Sequence, residues 1–302
     1  MQKFKRLIQL LAIGSILFLF TQGVRAQQWR PVRGGINFGI SGMALVEQKA
    51  DALSFLIVHD NKSPAAGRIA LISVQSNKFP QYFPLNWPNN TELPSDLEAL
   101  TLVPGQQTMF LAATSFGQVY QFQLSADHRE IKVLRIFNLP AISSEINIEG
   151  FAVQEIDGNL LAVWSNRGEG QAVGVLYWGV LDLNSYKITP QGSANLTVPW
   201  PIGNVRHISD LKVDSAGVLY ICSATDNGND GPFESAIYVA GAFSRQSNWI
   251  KFRPNSALFP LYRFNYHKIE GLELIPGAAG GLIFGTDDEN MGASILYSYK
   301  EE

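Results

Sequence analysis

A four-residue phrase recurs five times along this chain of 302 residues. It reads Ile40-Ser41-Gly42-Met43, Leu97-Glu98-Ala99-Leu100, Ile148-Glu149-Gly150-Phe151, Ile208-Ser209-Asp210-Leu211 and Ile269-Glu270-Gly271-Leu272. The second position runs Ser, Glu, Glu, Ser, Glu, and its successive spacings are 57, 51, 60 and 61 residues. Self-similarity at this period is the signature of a solenoid, a propeller or an array. It also puts one oxygen-bearing side chain at the same point of every repeat.

Each phrase heads a series of short apolar runs punctuated by turn residues. In the second repeat the runs are Ala99–Val103, Met109–Ser115, Gln118–Leu124 and Ile131–Asn138. The third offers Phe151–Ile156, Leu160–Ser165, Gly174–Leu183 and a looser run near Leu196, with Asp157-Gly158-Asn159 and Asn184-Ser185 at the turns. Such dipeptides favour tight hairpins. The fourth has Leu211–Val213, Val218–Ser223, Ala236–Phe243 and Trp249–Arg253. The fifth has only three runs, Gly271–Ile275, Gly281–Thr286 and Ser294–Lys300, while Trp29 to Phe38 precedes the first repeat and belongs to none. Donation of that segment to the last repeat closes a ring and protects its sheet edges. The expected fold is all-β: a five-bladed propeller of four-stranded antiparallel blades over residues 27–302, with the N-terminal strand completing the last blade.

In such a blade the first strand lines the central channel, so the Ser/Glu positions form an axial column. The second strand returns to the same face and ends in polar residues: His59-Asp60-Asn61, Thr114-Ser115, Ser165-Asn166-Arg167, Thr225-Asp226 and Thr286-Asp287-Asp288. Loops entering the first strands add Arg206-His207 and Tyr266-His267-Lys268. Three carboxylates facing one narrow channel repel: at about 4 Å and an effective dielectric near 20, each pair costs roughly 4 kcal/mol. They protonate, face water or hold a cation. Ser41, Glu98, Glu149, Ser209 and Glu270 offer oxygen alone, which suits Ca²⁺ rather than the His- and Cys-seeking Zn²⁺. These five are therefore the expected calcium ligands.

The Ser-Glu-Glu-Ser-Glu column resembles the central calcium shell of the soluble calcium-activated nucleotidases, the secreted apyrases, which are five-bladed propellers. Ile208-Ser209-Asp210-Leu211, Lys268-Ile269-Glu270-Gly271 and Val58-His59-Asp60 are similar to phrases of that family. Of its paired first-blade aspartates this chain has Asp60, with His59 in the other place, and Asn166-Arg167 stands where the family has two arginines. The Glu-Gly phrase also resembles the SdiA-regulated and esterase-like phytase propellers. The resemblance implies a calcium-dependent hydrolase of phosphoesters or phosphoanhydrides. Asp60, His59 and Asp287 are its candidate catalytic groups, and Arg206, His207, His267, Lys268 and Arg167 are candidates to bind a small anionic ligand. The alternative is a propeller that binds a ligand or protein without turnover, with calcium as a structural tie.

Lys3, Lys5 and Arg6, an apolar stretch from Leu10 to Phe20 and Val24-Arg25-Ala26 read as a cleavable signal peptide over residues 1–26. The expected protein is thus secreted or periplasmic, free of the membrane after cleavage, and monomeric. Removing that segment takes four basic residues and no acid, so the net charge moves from −3 to −7. A mildly acidic protein of this kind is a poor nucleic-acid binder. A lone cysteine, Cys222, excludes an intrachain disulfide and sits in an apolar run as core filler. Asp226-Asn227-Gly228-Asn229-Asp230-Gly231 has Ile237 where a calcium loop needs a carboxylate, and reads as a turn.

Overall fold

The computed structural model describes residues 28–76, 78–140, 146–277 and 280–297. They form five antiparallel sheets arranged as a five-bladed propeller. From axis to rim, blade 1 is Gly42–Gln48, Ala52–Val58, Ile69–Gln75 and Gln81–Leu85; blade 2 is Leu97–Leu102, Met109–Thr114, Gln118–Leu124 and Ile131–Asn138. Blade 3 is Ile148–Ile156, Asn159–Asn166, Gly174–Asp182 and Lys187–Leu196. Blade 4 is Val205–Val213, Val218–Thr225, Glu234–Gln246 and Trp249–Pro254. Blade 5 takes Ile269–Ile275, Gly281–Thr286 and Ala293–Leu296 from the C-terminal end and Arg30–Arg33 from the N-terminal end. Each inner strand touches the next, and the inner strand of blade 5 touches that of blade 1.

The closing strand is as expected, although only Arg30–Arg33 pairs; Ile36–Phe38 makes a 3₁₀ turn instead of extending it. The loose fourth run of blade 3 is a ten-residue strand, Lys187–Leu196, bulged at Gln191. Blade 4 also holds an extra strand absent from the sequence reading. Pro260–Asn265 pairs with the first half of the long third strand, and Trp249–Pro254 with its second half. The signal-peptide segment lies outside the described residues, as does the end of the run expected to reach Lys300.

The core is divided among the seams between blades. One cluster packs Leu56, Leu71 and Trp87 of blade 1 side against Leu100, Phe110 and Phe122 of blade 2. Its counterparts fill the seams between blades 2 and 3, 3 and 4, 4 and 5, and 5 and 1. Because each blade is apolar on both faces, only a closed ring buries both.

The recurring phrase does three local jobs. Its first residue, Ile or Leu, is fully buried in every repeat. The amides of Ile40, Ile148 and Ile208 donate to carbonyls of the preceding blade, at Thr286 (3.0 Å), Ser115 (2.9 Å) and Arg167 (3.1 Å). In the three repeats that carry glutamate the second residue is a bulge. Leu97 faces Thr114 and Ala99 faces Ala113, so Glu98 has no cross-strand partner; Glu149 and Glu270 are skipped in the same way. A bulge re-aims a side chain that regular alternation would direct elsewhere. The third residue is Gly or Ala in every repeat but the fourth, which has Asp210, and the next blade comes close: a Cβ at Gly42 would lie 2.8 Å from the Leu100 amide nitrogen.

Candidate functional site

The bulges place Glu98, Glu149 and Glu270, all at most 8% exposed, around one mouth of the channel. The ends of the second strands surround them, as expected. The glutamates nevertheless do not share one environment.

On one side, protein cations neutralise them. The guanidinium of Arg206, on the inner strand of blade 4, lies 2.6 Å from Glu270 Oε1, 3.5 Å from Glu149 Oε2 and 2.7 Å from Asp226 Oδ2. Arg167 adds a 3.1 Å pair to Glu149 and a 3.0 Å pair to Glu169. Lys268, only 1% exposed, reaches Glu270 (3.3 Å), Asp287 (3.4 Å) and Glu289. Burial alone would lower the Lys268 pKa, but Glu270 and Asp287 raise it, so the ammonium stays charged. These cations are committed within the protein, where the sequence had suggested ligand contacts.

On the other side, Asp60, Asp96 and Glu98 bring carboxylate oxygens within 4.8 Å of one another. Oxygens sharing one calcium at 2.3–2.6 Å lie at most about 5 Å apart, so the spacing fits a single ion. Glu98 makes no hydrogen bond or ion pair among the described residues. Burial, followed by the charges of Glu149 and Asp60, pushes its pKa well above the usual carboxylate range. Burial and Glu270 raise Asp60 to about 6. Asp96 accepts a 2.6 Å hydrogen bond from Ser115 on Oδ2, and its buried Oδ1 has no hydrogen-bond partner, facing only the Lys62 ammonium at 3.1 Å. The Ser41 hydroxyl, 1% exposed, is likewise without a partner. Hard, unsatisfied oxygen donors at this spacing fit a divalent cation such as calcium. Asp96 was missed in the sequence because it stands one residue ahead of the repeated phrase, on a left-handed backbone (φ 64°).

The remaining expected ligands and catalytic groups have other partners. Ser209 donates to the Ile269 carbonyl across a blade seam at 2.8 Å. His59 is 1% exposed, donates from Nδ1 to the Gly39 carbonyl (2.6 Å) and accepts from the Tyr82 hydroxyl (3.1 Å). Burial pushes its pKa down to about 4, which leaves the ring neutral and locked rather than poised for proton transfer. His207 bonds the Gly170 carbonyl and the Val198 amide. His267 donates to Asp288 at 2.7 Å and packs against Trp29. Asp287 remains beside the mouth. Burial raises its pKa, Lys268 opposes the rise, and Gly39 leaves its carboxylate room: a Cβ there would lie 2.1 Å from Oδ1.

Farther along the channel the axis is closed. Lys212 donates to the carbonyls of Met43 (2.8 Å) and Leu100 (2.6 Å) and lies 3.5 Å from Glu273. One side chain of blade 4 thereby ties blades 1, 2 and 5. Beyond it the opposite mouth opens as a pocket of about 340 Å³ lined by inner strands of all five blades.

No family model matches the chain, and no curated protein matches it. Solved structures match in fold. The native arabinanase of Bacillus subtilis is 12% identical with a TM-score of 0.49, over 88% of this chain and 95% of that one. The GH43 endo-arabinanase of Bacillus licheniformis is 12% identical with a TM-score of 0.47, over 88% and 95%. The Bombyx mori GH32 β-fructofuranosidase is 11% identical with a TM-score of 0.46, over 88% of this chain and 61% of that one. These are glycoside-hydrolase propellers, not nucleotidases or phytases, and at such identities the likeness concerns the propeller fold alone.

Proposed function

We propose that this is an exported propeller whose axial mouth binds one divalent cation, calcium before others, through Asp60, Asp96 and Glu98, and that it hydrolyses phosphoesters or phosphoanhydrides there. The observation that carries this reading is the three-carboxylate group with the buried, unpartnered Glu98 in it. The calcium expected on all five axial positions is thus reassigned to one side, because Arg206 and Lys268 already balance Glu149 and Glu270.

When bound, the cation supplies positive charge to an anionic substrate and to the charge that develops on it. The chain's own part follows from its geometry. Arg206 and Lys268 hold Glu149, Glu270 and Asp287 in place and are saturated by them. Asp287, held by the Glu289 amide at 3.1 Å and by Lys268 at 3.4 Å, is the carboxylate assigned to orient an attacking water and take its proton.

That same saturation favours a second reading, in which the site binds a ligand without turnover. A screen of the purified protein with nucleotides, phytate, aryl phosphates and, as the neutral class, aryl glycosides separates them. The expected result is phosphate release that stops on chelation and returns with calcium. Calcium binding without turnover supports the second reading, and chelator-insensitive cleavage of aryl glycosides overturns the first.

A further inference from the structure

Lys62 differs from every other cation at the mouth. Arg206 and Lys268 each face three carboxylates and are largely or fully buried, and Arg167 faces two. The Lys62 side chain is 69% exposed, and its one ion pair among the described residues is to Asp96 Oδ1 at 3.1 Å. Its backbone, by contrast, is anchored. The neighbouring Asn61 side chain donates to the carbonyls of Asn37 (2.9 Å) and Gly67 (2.7 Å), and Ala66 N–H closes a turn on Ser63. A fixed loop therefore carries a solvent-exposed four-carbon arm whose ammonium rests on the oxygen that a metal ion would take.

We propose that Lys62 is a displaceable counter-ion for the cation site: it occupies Asp96 while the site is empty, leaves when a divalent cation binds, and then meets the anionic group of the ligand. The inference rests on the proposed cation site and deepens it. An ammonium and a divalent cation cannot share Asp96 Oδ1 without like-charge repulsion, and the lysine is the partner with solvent to move into. The lysine end of the pair is largely solvated, which weakens its hold on Asp96 and lets a divalent cation displace it. A flexible lysine suits this role, since its charge is compact and its stem has many rotamers. Against the desolvation that lowers it, Asp96, Glu98 and Asp60 all raise the Lys62 pKa, which places the ammonium in the field of the whole trio.

The test is calorimetric titration of calcium, and then of inorganic phosphate with calcium present, into the wild-type protein, Lys62→Gln and Lys62→Arg. Removal of the competing charge should tighten calcium binding by about fivefold or more in Lys62→Gln, the effect expected for a unit charge a few ångströms away in a partly wet site. Phosphate binding to the calcium-loaded variant should weaken by about the same factor, and Lys62→Arg should stay near wild type in both. Equal calcium affinity in wild type and Lys62→Gln overturns the counter-ion role and leaves the cation site standing. Unchanged phosphate affinity overturns the second step. No calcium binding by any of the three proteins overturns this inference together with the proposed site.

Discussion

Lys212→Met is expected to lower the unfolding free energy by about 3–5 kcal/mol, the cost of removing one partner from a buried charged network. Methionine keeps the length and apolar stem of lysine but donates nothing. The carbonyls of Met43 and Leu100 lose their donor on the axis, and Glu273 loses its nearby positive charge. Glu273 would still accept from the amides of Leu45 and Leu274, so the loss falls on the ties between blades 1, 2 and 4 rather than on blade 5 alone. Denaturant unfolding of the two proteins at equal ionic strength measures the difference. A change under about 1 kcal/mol would mean that the ring does not depend on this tie.

Arg206→Met should be destabilising to a similar degree near neutral pH, because it strands Glu149, Glu270 and Asp226 at once. The deficit should shrink as the pH falls. Burial already holds Glu149 above its ordinary value of 4.5, and Arg206 is the largest influence lowering it. Without the guanidinium the folded-state pKa of Glu149 rises further. A carboxyl whose pKa is higher folded than unfolded binds its proton more tightly in the folded state. Its contribution is therefore fully present below the unfolded value and is lost as the pH rises toward the folded one. Stability of the variant relative to wild type, measured from pH 5 to 8, should fall steadily with pH. A flat difference would show that the Glu149 carboxylate does not depend on Arg206.

The five-fold repeat exposed the ring, its inner strands and the closing strand, because seam packing puts a buried aliphatic residue at the head of every repeat and a small residue two positions on in all but the fourth, where Asp210 stands. The same arithmetic three residues farther on gives Ala44, Thr101, Ala152, Lys212 and Glu273. The axial Lys212–Glu273 contact was thus legible too, as opposite charges at one repeat position. The division of the glutamate column was not. Arg206 is 64 residues from Glu270, and the choice of its guanidinium among three inward carboxylates depends on side-chain directions that no periodicity encodes. His59 misled for a related reason. A histidine beside an aspartate at a strand end reads as catalytic, whereas the first blade turns its ring inward against Tyr82 and Gly39. The extra strand Pro260–Asn265 escaped because it pairs with half of a strand that already seemed fully used.

The most direct test of the proposed site is calcium titration of chelator-treated protein by calorimetry, comparing wild type, Glu98→Gln and Glu149→Gln. The account expects one calcium per wild-type chain. Glu98→Gln should weaken it by about 10- to 100-fold, the range for disturbing a ligand shell. Glu149→Gln should change it by no more than a few-fold, since Arg167 and Arg206 already balance that carboxylate. Absence of binding at millimolar calcium, or equal losses in the two variants, would contradict a cation held on the Asp60, Asp96 and Glu98 side of the axis.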